Sequence, residues 1–135
     1  MSRLKQVCMD RAISPNEVKV VQWLLDHALG DVRAYRLHPV EDLRVVEGCS
    51  CGCSSLYFSS KRGSLQRLAD EVALYPDGQT AGLMLWGRDG EIVWLEVYDF
   101  EPKSSHRSPV VSNLCTWEDW GRRDLGRANQ EQQKI

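Results

Sequence analysis

No apolar run in this chain approaches the ~20 residues that a membrane-spanning helix requires, and Met1 to Asp10 lack the apolar stretch of a secretion signal. The expected compartment is therefore the cytoplasm, away from any membrane. There is no glycine-rich phosphate loop, no dinucleotide fingerprint, no His-Glu-x-x-His and no Cys-x-x-Cys, which removes the common motif-encoded nucleotide, metallohydrolase and dithiol chemistries. An excess of one charge is also missing. The net charge is −2, and Lys and Arg alternate with Asp and Glu except at Arg122, Arg123 and Arg127, so the basic stripe of a nucleic-acid binder is absent and no nucleic-acid partner is expected. Cysteine is present, but five is an odd number and three of the five crowd one turn. Such spacing closes no useful loops and argues for reduced thiols rather than a secreted disulfide scaffold.

What remains is an ordinary globular composition, 135 residues with 42% hydrophobic and 27% charged side chains, enough for a single core. One α+β domain is expected over residues 1–120, followed by a polar tail over 121–135 that is only partly ordered. Ser14-Pro15-Asn16-Glu17 reads as a helix start, with Ser14 as the cap, Pro15 at the first helical position and Glu17 closing a capping box. The helix runs to about Ala28. Val18, Val21, Leu25 and Ala28, flanked by Val20 and Leu24, form its apolar face, and Gly30 is placed to end it in a left-handed conformation. Asp31 to Leu37 adds a short helical turn before His38-Pro39.

Beyond this point the apolar period becomes that of strands. Leu43 to Glu47, Ser55 to Ser60, Gln66 to Tyr75, Ala81 to Trp86 and Glu91 to Phe100 are separated by turn residues, with Pro76-Asp77-Gly78 and Gly87-Arg88-Asp89-Gly90 as strong hairpin signals. The expectation is an antiparallel β-meander of about five strands covered by the N-terminal helix. Pro102 to Pro109 reads as a loop, and Val110 to Trp120 as a segment that returns to the sheet.

The order of parts, with Gly48-Cys49-Ser50-Cys51-Gly52-Cys53-Ser54-Ser55-Leu56, Gly82-Leu83-Met84-Leu85-Trp86, Arg88-Asp89-Gly90 and Leu95-Glu96-Val97-Tyr98, resembles a widespread family of small uncharacterised bacterial proteins with an N-terminal helix, a Cys-Gly-Cys turn and an Arg-Asp-Gly hairpin. The resemblance covers roughly Val18 to Phe100. It implies the fold order and a bacterial cytoplasmic setting, and carries over no activity and no catalytic residue. The segment after Phe100 departs from the family pattern.

Three candidate sites follow from residue chemistry. Cys49, Cys51 and Cys53 alternate, so in an extended segment their sulfurs line one side. Zinc takes four tetrahedral ligands, and Cys115 is the candidate fourth, with Cys8 and the histidines as other options. Small thiols in a glycine-flanked turn also serve as packing residues, which is the simpler reading. No cation or helix start lies beside them to lower a thiol pKa, so thiol catalysis is not expected. Second, Glu96 shares a strand face with Trp94 and Tyr98, as a proton donor or, more simply, as a partner of Arg88 or a backbone donor. Third, Trp117 and Trp120 lie one helical turn apart among acidic residues, an aromatic pair of the kind that anchors protein interfaces, whereas Trp23 and Trp86 are expected in the core. His27, His38 and His106 are scattered and have cheap structural explanations. Together these readings point to a non-enzymatic protein-binding module of the inhibitor or toxin-immunity type, with a small thiolate zinc protein as the alternative. A second copy pairing at a sheet edge is a further candidate partner.

Overall fold

The computed structural model of the chain describes residues 6–60 and 63–122. The helix start is as the sequence requires: α1 (Pro15–Asp26) follows the extended cap Ser14, whose Oγ accepts from the Glu17 N–H while Glu17 accepts from the Ser14 N–H. That reciprocal pair satisfies two backbone donors left free at any helix start. The other end differs from expectation. His27 is the C-terminal cap, its N–H donating to the Leu24 and Trp23 carbonyls, and Gly30 is not in the left-handed region that Gly52, Gly63, Gly78 and Gly90 occupy. The helix stops because a side-chain and backbone cap is already available at His27, three residues before the glycine.

One antiparallel sheet carries the rest. Its strands are β1 (Gln6–Ala12), β2 (Arg44–Cys49), β3 (Leu56–Tyr57), β4 (Gln66–Leu74), β5 (Thr80–Arg88), β6 (Glu91–Asp99) and β7 (Leu114–Cys115), in the order β1-β2-β3-β6-β5-β4-β7. Seven strands replace the expected five. β1 has no clean alternation to announce it and exists through its pairing with β2, while β7 is too short to carry a period. The meander holds for β4, β5 and β6, but β3 pairs with β6, so the chain crosses from the middle of the sheet to β4. Both hairpins form. Asp89 and Gly90, at φ 49° and 82°, make the two-residue left-handed turn whose twist matches the flanking strands. Gly78, at φ 88°, closes the Tyr75-Pro76-Asp77 turn, with Gly78 N–H donating to Tyr75 O.

Residues directly opposite in register project to the same side of a sheet. Ala81, Leu83 and Leu85 of β5 therefore share a face with Leu95 and Val97 of β6 and with Ala69 and Ala73 of β4. That face is the core, closed by Val20, Val21, Leu24 and Leu25 of α1 and by Tyr35 and Val40 from the short 3-10 turns at Arg33–Arg36 and Val40–Asp42. Among the described residues no helix is long and apolar enough to cross a membrane. A 3-10 turn at Ser104–His106, another at Val111–Asn113 and a helical segment at 117–122 complete the described chain. The tail expected over 121–135 lies outside the described residues from 123 onward.

Arg11 of β1 grips Glu17 with two hydrogen bonds of 2.8 Å. Burial pushes the Glu17 carboxyl up, but Arg11 and the Ser14 backbone outweigh it and hold the group below the usual carboxylate range. A carboxylate held low in the folded state contributes stability above its unfolded pKa and loses it as pH falls through the folded value. Glu17→Ala is accordingly expected to cost about 1–2 kcal/mol at neutral pH, a penalty that shrinks on acidification. Urea unfolding of both proteins across that pH range checks it, and a pH-independent difference would remove the electrostatic account.

Candidate functional site

The end of β2 builds the cysteine turn. Gly48 is buried beside β1, where a side chain would meet Met9 Sδ at 2.9 Å, and the next residue, Cys49, starts a reversal closed by Gly52 N–H donating to Cys49 O at 3.3 Å. Gly52 has φ +92°, and a Cβ there would stand 3.0 Å from His106 Cε1. The backbone conformation is what demands glycine at that position. The sulfurs of Cys49, Cys51 and Cys53 lie within 4.8 Å of one another, close enough to hold a metal ion. Cys49 Sγ donates to Cys51 Sγ at 2.7 Å and the Cys53 N–H donates to the same sulfur at 3.3 Å. Burial, then that bond to Cys51, pushes the Cys49 thiol up to about 11, whereas donation from Cys49 lowers Cys51. The stabilising donor is a neighbouring thiol and backbone N–H rather than a cation or helix.

Cys115 is not part of this group. It sits on β7, opposite Val72 at the far side of the sheet, five strand positions from β2, about 24 Å at the usual inter-strand spacing of ~4.8 Å. As a fourth ligand it is ruled out by topology, which spacing along the chain could not reveal. Of the histidines, His27 places Nδ1 2.8 Å from Trp23 O and stacks on the Trp23 ring at 3.9 Å. His38 lines a cavity of about 420 Å³ beside Tyr35 and Val40. His106 alone lies over the cysteine turn. The segment that carries it is sewn to Ser54, whose N–H and Oγ both donate to Ser105 O and whose Oγ also reaches Arg107 O.

The second cluster covers the sheet face opposite α1. Trp94, Glu96 and Tyr98 project together from β6, and Trp86 and Met84 stand opposite Trp94 and Glu96 on β5. Trp86 was expected in the core. It is half-buried on this outer face instead, because a bulge between Trp86 and Gly87 shifts the register set by the Asp89-Gly90 turn by one residue and pairs Trp86 with Trp94 rather than Val93. Tyr57, Trp94 and Trp86 stack at centroid distances of 5.3 and 5.9 Å. Glu96 accepts from Trp86 Nε1 at 3.1 Å, so the indole, not the expected Arg88, is its partner. Among the described residues Trp94 Nε1 is buried without an acceptor.

A second aromatic group runs through Tyr98, Phe100, Trp117 and Trp120, with Phe100 5.3 Å from Trp117 and the two tryptophans edge-on at 5.7 Å. Trp117 is held by Nε1–H donating to Asp70 at 3.0 Å, and its backbone N–H reaches Glu71 at 3.4 Å. Burial pushes the Glu71 carboxyl up, the Trp117 N–H opposing it. Sequence reading found Trp94, Glu96, Tyr98, Trp117 and Trp120 as two separate sites. It missed Phe100, which joins Tyr98 to Trp117, and Tyr57 and Trp86, which stack with Trp94, although the alternation Trp94-Glu96-Tyr98 in β6, continued by Phe100 just beyond it, carried part of the signal. The chain matches no protein-family model, no curated protein and no solved structure at a significant level.

Proposed function

We propose that this chain is a protein-binding module of the inhibitor or toxin-immunity type, with its outer sheet face as the contact surface. The observation that carries this reading is the pair of aromatic groups on one sheet face, Tyr57-Trp94-Trp86 and Tyr98-Phe100-Trp117-Trp120, with Glu96 between them and Asp70, Glu118 and Asp119 beside the second. Large half-exposed rings supply the anchor contacts of protein interfaces, and the carboxylates among them would take a basic partner in exchange for Arg67, which pairs with Asp70, and Arg122, which pairs with Glu118 and Asp119. α1 covers only the other face, and the rings are rigidly placed before any partner arrives, which reduces the ordering cost of association.

Purification with the intact chain and with Trp94→Ala and Trp117→Ala as bait tests this directly. The expected result is a basic partner retained by the intact chain, lost with either variant and released by salt. Capture indifferent to both substitutions would sink the reading.

A second reading rests on the cysteine cluster, which we infer to be a thiolate zinc site. Zn–S bonds of ~2.3 Å in a tetrahedron place sulfurs about 3.8 Å apart; the three sulfurs lie inside 4.8 Å, and Cys49 and Cys51, now at 2.7 Å, would have to separate by about 1 Å to take up a zinc ion. Cys51→Ser is expected to abolish zinc retention, read by elemental analysis, and to remove any lowering of the melting temperature by a chelator. A chain that purifies without metal and is indifferent to chelation would return the cysteines to a packing role.

A further inference from the structure

Three thiolates leave a zinc tetrahedron one ligand short, and among the described side chains the structure brings that of His106 to the turn. The His106 ring rests on Gly52, between Cys51 and Cys53, with Cε1 and Nδ1 3.0 and 3.2 Å from where a Cβ would stand. We propose that His106 is the fourth ligand of a zinc site formed with Cys49, Cys51 and Cys53, and that the metal fastens the loop after β6 to the end of β2. The inference rests on the zinc reading above and replaces Cys115 in it.

The loop is built to hold that histidine in place. Lys103 adopts a left-handed φ of 63°, stabilised by Ser104 N–H to Glu101 O and by His106 N–H to Lys103 O. Ser104 is fully buried, its Oγ accepting from the Phe100 N–H, and Ser105 N–H donates to Asp99 Oδ1 at 2.7 Å. On the far side Arg107 pairs with Asp77 at 2.7 Å and lies over the Tyr75 ring, 4.1 Å from its centroid. Every neighbour of His106 is therefore fixed, while the imidazole itself is exposed. Ligand sets of this quality depend on backbone supports that prevent the loop from drifting.

Among the described residues the group within 4.8 Å contains the three sulfurs only, so ligation requires the imidazole to turn from its seat on Gly52 toward them. An exposed side chain makes such a rotation freely. Asp99 accepts from the backbone N–H of Ser105, the residue before His106, at 2.7 Å, and its carboxyl is held low chiefly by Ser105. The chemistry balances simply. Zn²⁺ displaces one proton from each of three thiols and takes the lone pair of a neutral imidazole, leaving a ZnS₃N centre of net charge −1 and three protons in solvent.

Cobalt(II) titration of the full chain provides the test, because the intensity and position of its d–d bands report both tetrahedral geometry and the sulfur-to-nitrogen ratio. The intact chain and Cys115→Ser are expected to give the same S₃N spectrum. His106→Ala should lose more than ~100-fold in affinity, beyond the ~10–100-fold that loss of a second-shell partner costs, together with the tetrahedral band pattern, and His106→Cys should recover tight binding with an S₄ spectrum. Wild-type affinity and spectrum in His106→Ala, with Cys51→Ser unable to bind, would overturn the assignment of His106 while leaving a three-cysteine site. No binding by the intact chain would remove the zinc reading itself.

Discussion

Valine at Gly82 is expected to destabilise the chain by on the order of 3 kcal/mol, the upper range for overpacking a well-filled site, and to dismantle the outer face. Gly82 is the third residue of β5, inside the strand and directly opposite Tyr98 on β6. A strand-interior glycine normally weakens a sheet, and its usual reason is close approach by another group. Here a Cβ would stand 2.0 Å from Tyr98 Cζ, because the phenol ring lies flat over the glycine. That position aligns Tyr98 with Phe100, 6.0 Å away, and through it with Trp117. Any side chain at residue 82 must lift the ring off the sheet and remove Tyr98 from its contact with Phe100. The clean measurement is a double-mutant cycle with Gly82→Ala and Tyr98→Ala by urea unfolding. The pair should be less destabilised than the sum of its singles by about 1 kcal/mol or more, since the second change removes the clash created by the first. Additive losses would mean that the cost comes from elsewhere in β5.

The cap, the apolar stripe and the two hairpins were legible because each is written in a few adjacent residues: Ser14 with Glu17, Val20 with Val21, Leu24 and Leu25, Asp89 with Gly90. Local rules decide such features before tertiary packing intervenes. Misplaced features depend on distant partners. β1 is a strand only because β2 offers a free edge, and the crossing that places β3 beside β6 leaves no local mark. The same division runs through the sites. Alternation within β6 put Trp94, Glu96 and Tyr98 on one face, and the alternating cysteines did converge. Which partners complete each group was set by sheet order and loop path, so Cys115 fell away to β7, Trp86 moved from the core to the outer face, and His106 arrived at the turn from 53 residues beyond Cys53.

Ser55 shows how the turn and sheet are mechanically joined, and its replacement should produce the other large effect. The β3 ladder with β6 begins at Leu56 opposite Leu95 and does not extend to Val97. Val97 is nevertheless satisfied, because Ser55 Oγ accepts from the Val97 N–H at 2.8 Å and donates to the Val97 carbonyl at 3.1 Å. One hydroxyl thus replaces a missing strand residue, in a place where Ser55 is only 6% exposed and Val97 3%. Ser55→Ala removes both bonds without filling the space, leaving a buried donor and a buried acceptor unpaired. Unsatisfied buried groups cost about 1–3 kcal/mol each, so a total loss of about 2–4 kcal/mol is expected, at the high end of single substitutions. Hydrogen exchange separates this cause from general loosening. The Val97 amide should lose protection far more than its neighbour in the core, Leu95, whose ladder partner Leu56 is unchanged. Equal loss at both amides, or a stability within about 0.5 kcal/mol of the parent, the range of an ordinary surface change, would show that Ser55 does not carry this junction. The connection matters for function because Ser55 stands two residues after Cys53 and one after Ser54, which grips the loop of His106. Loosening that single hydroxyl would release the cysteine turn from the same strand that presents Trp94, Glu96 and Tyr98 on its opposite face.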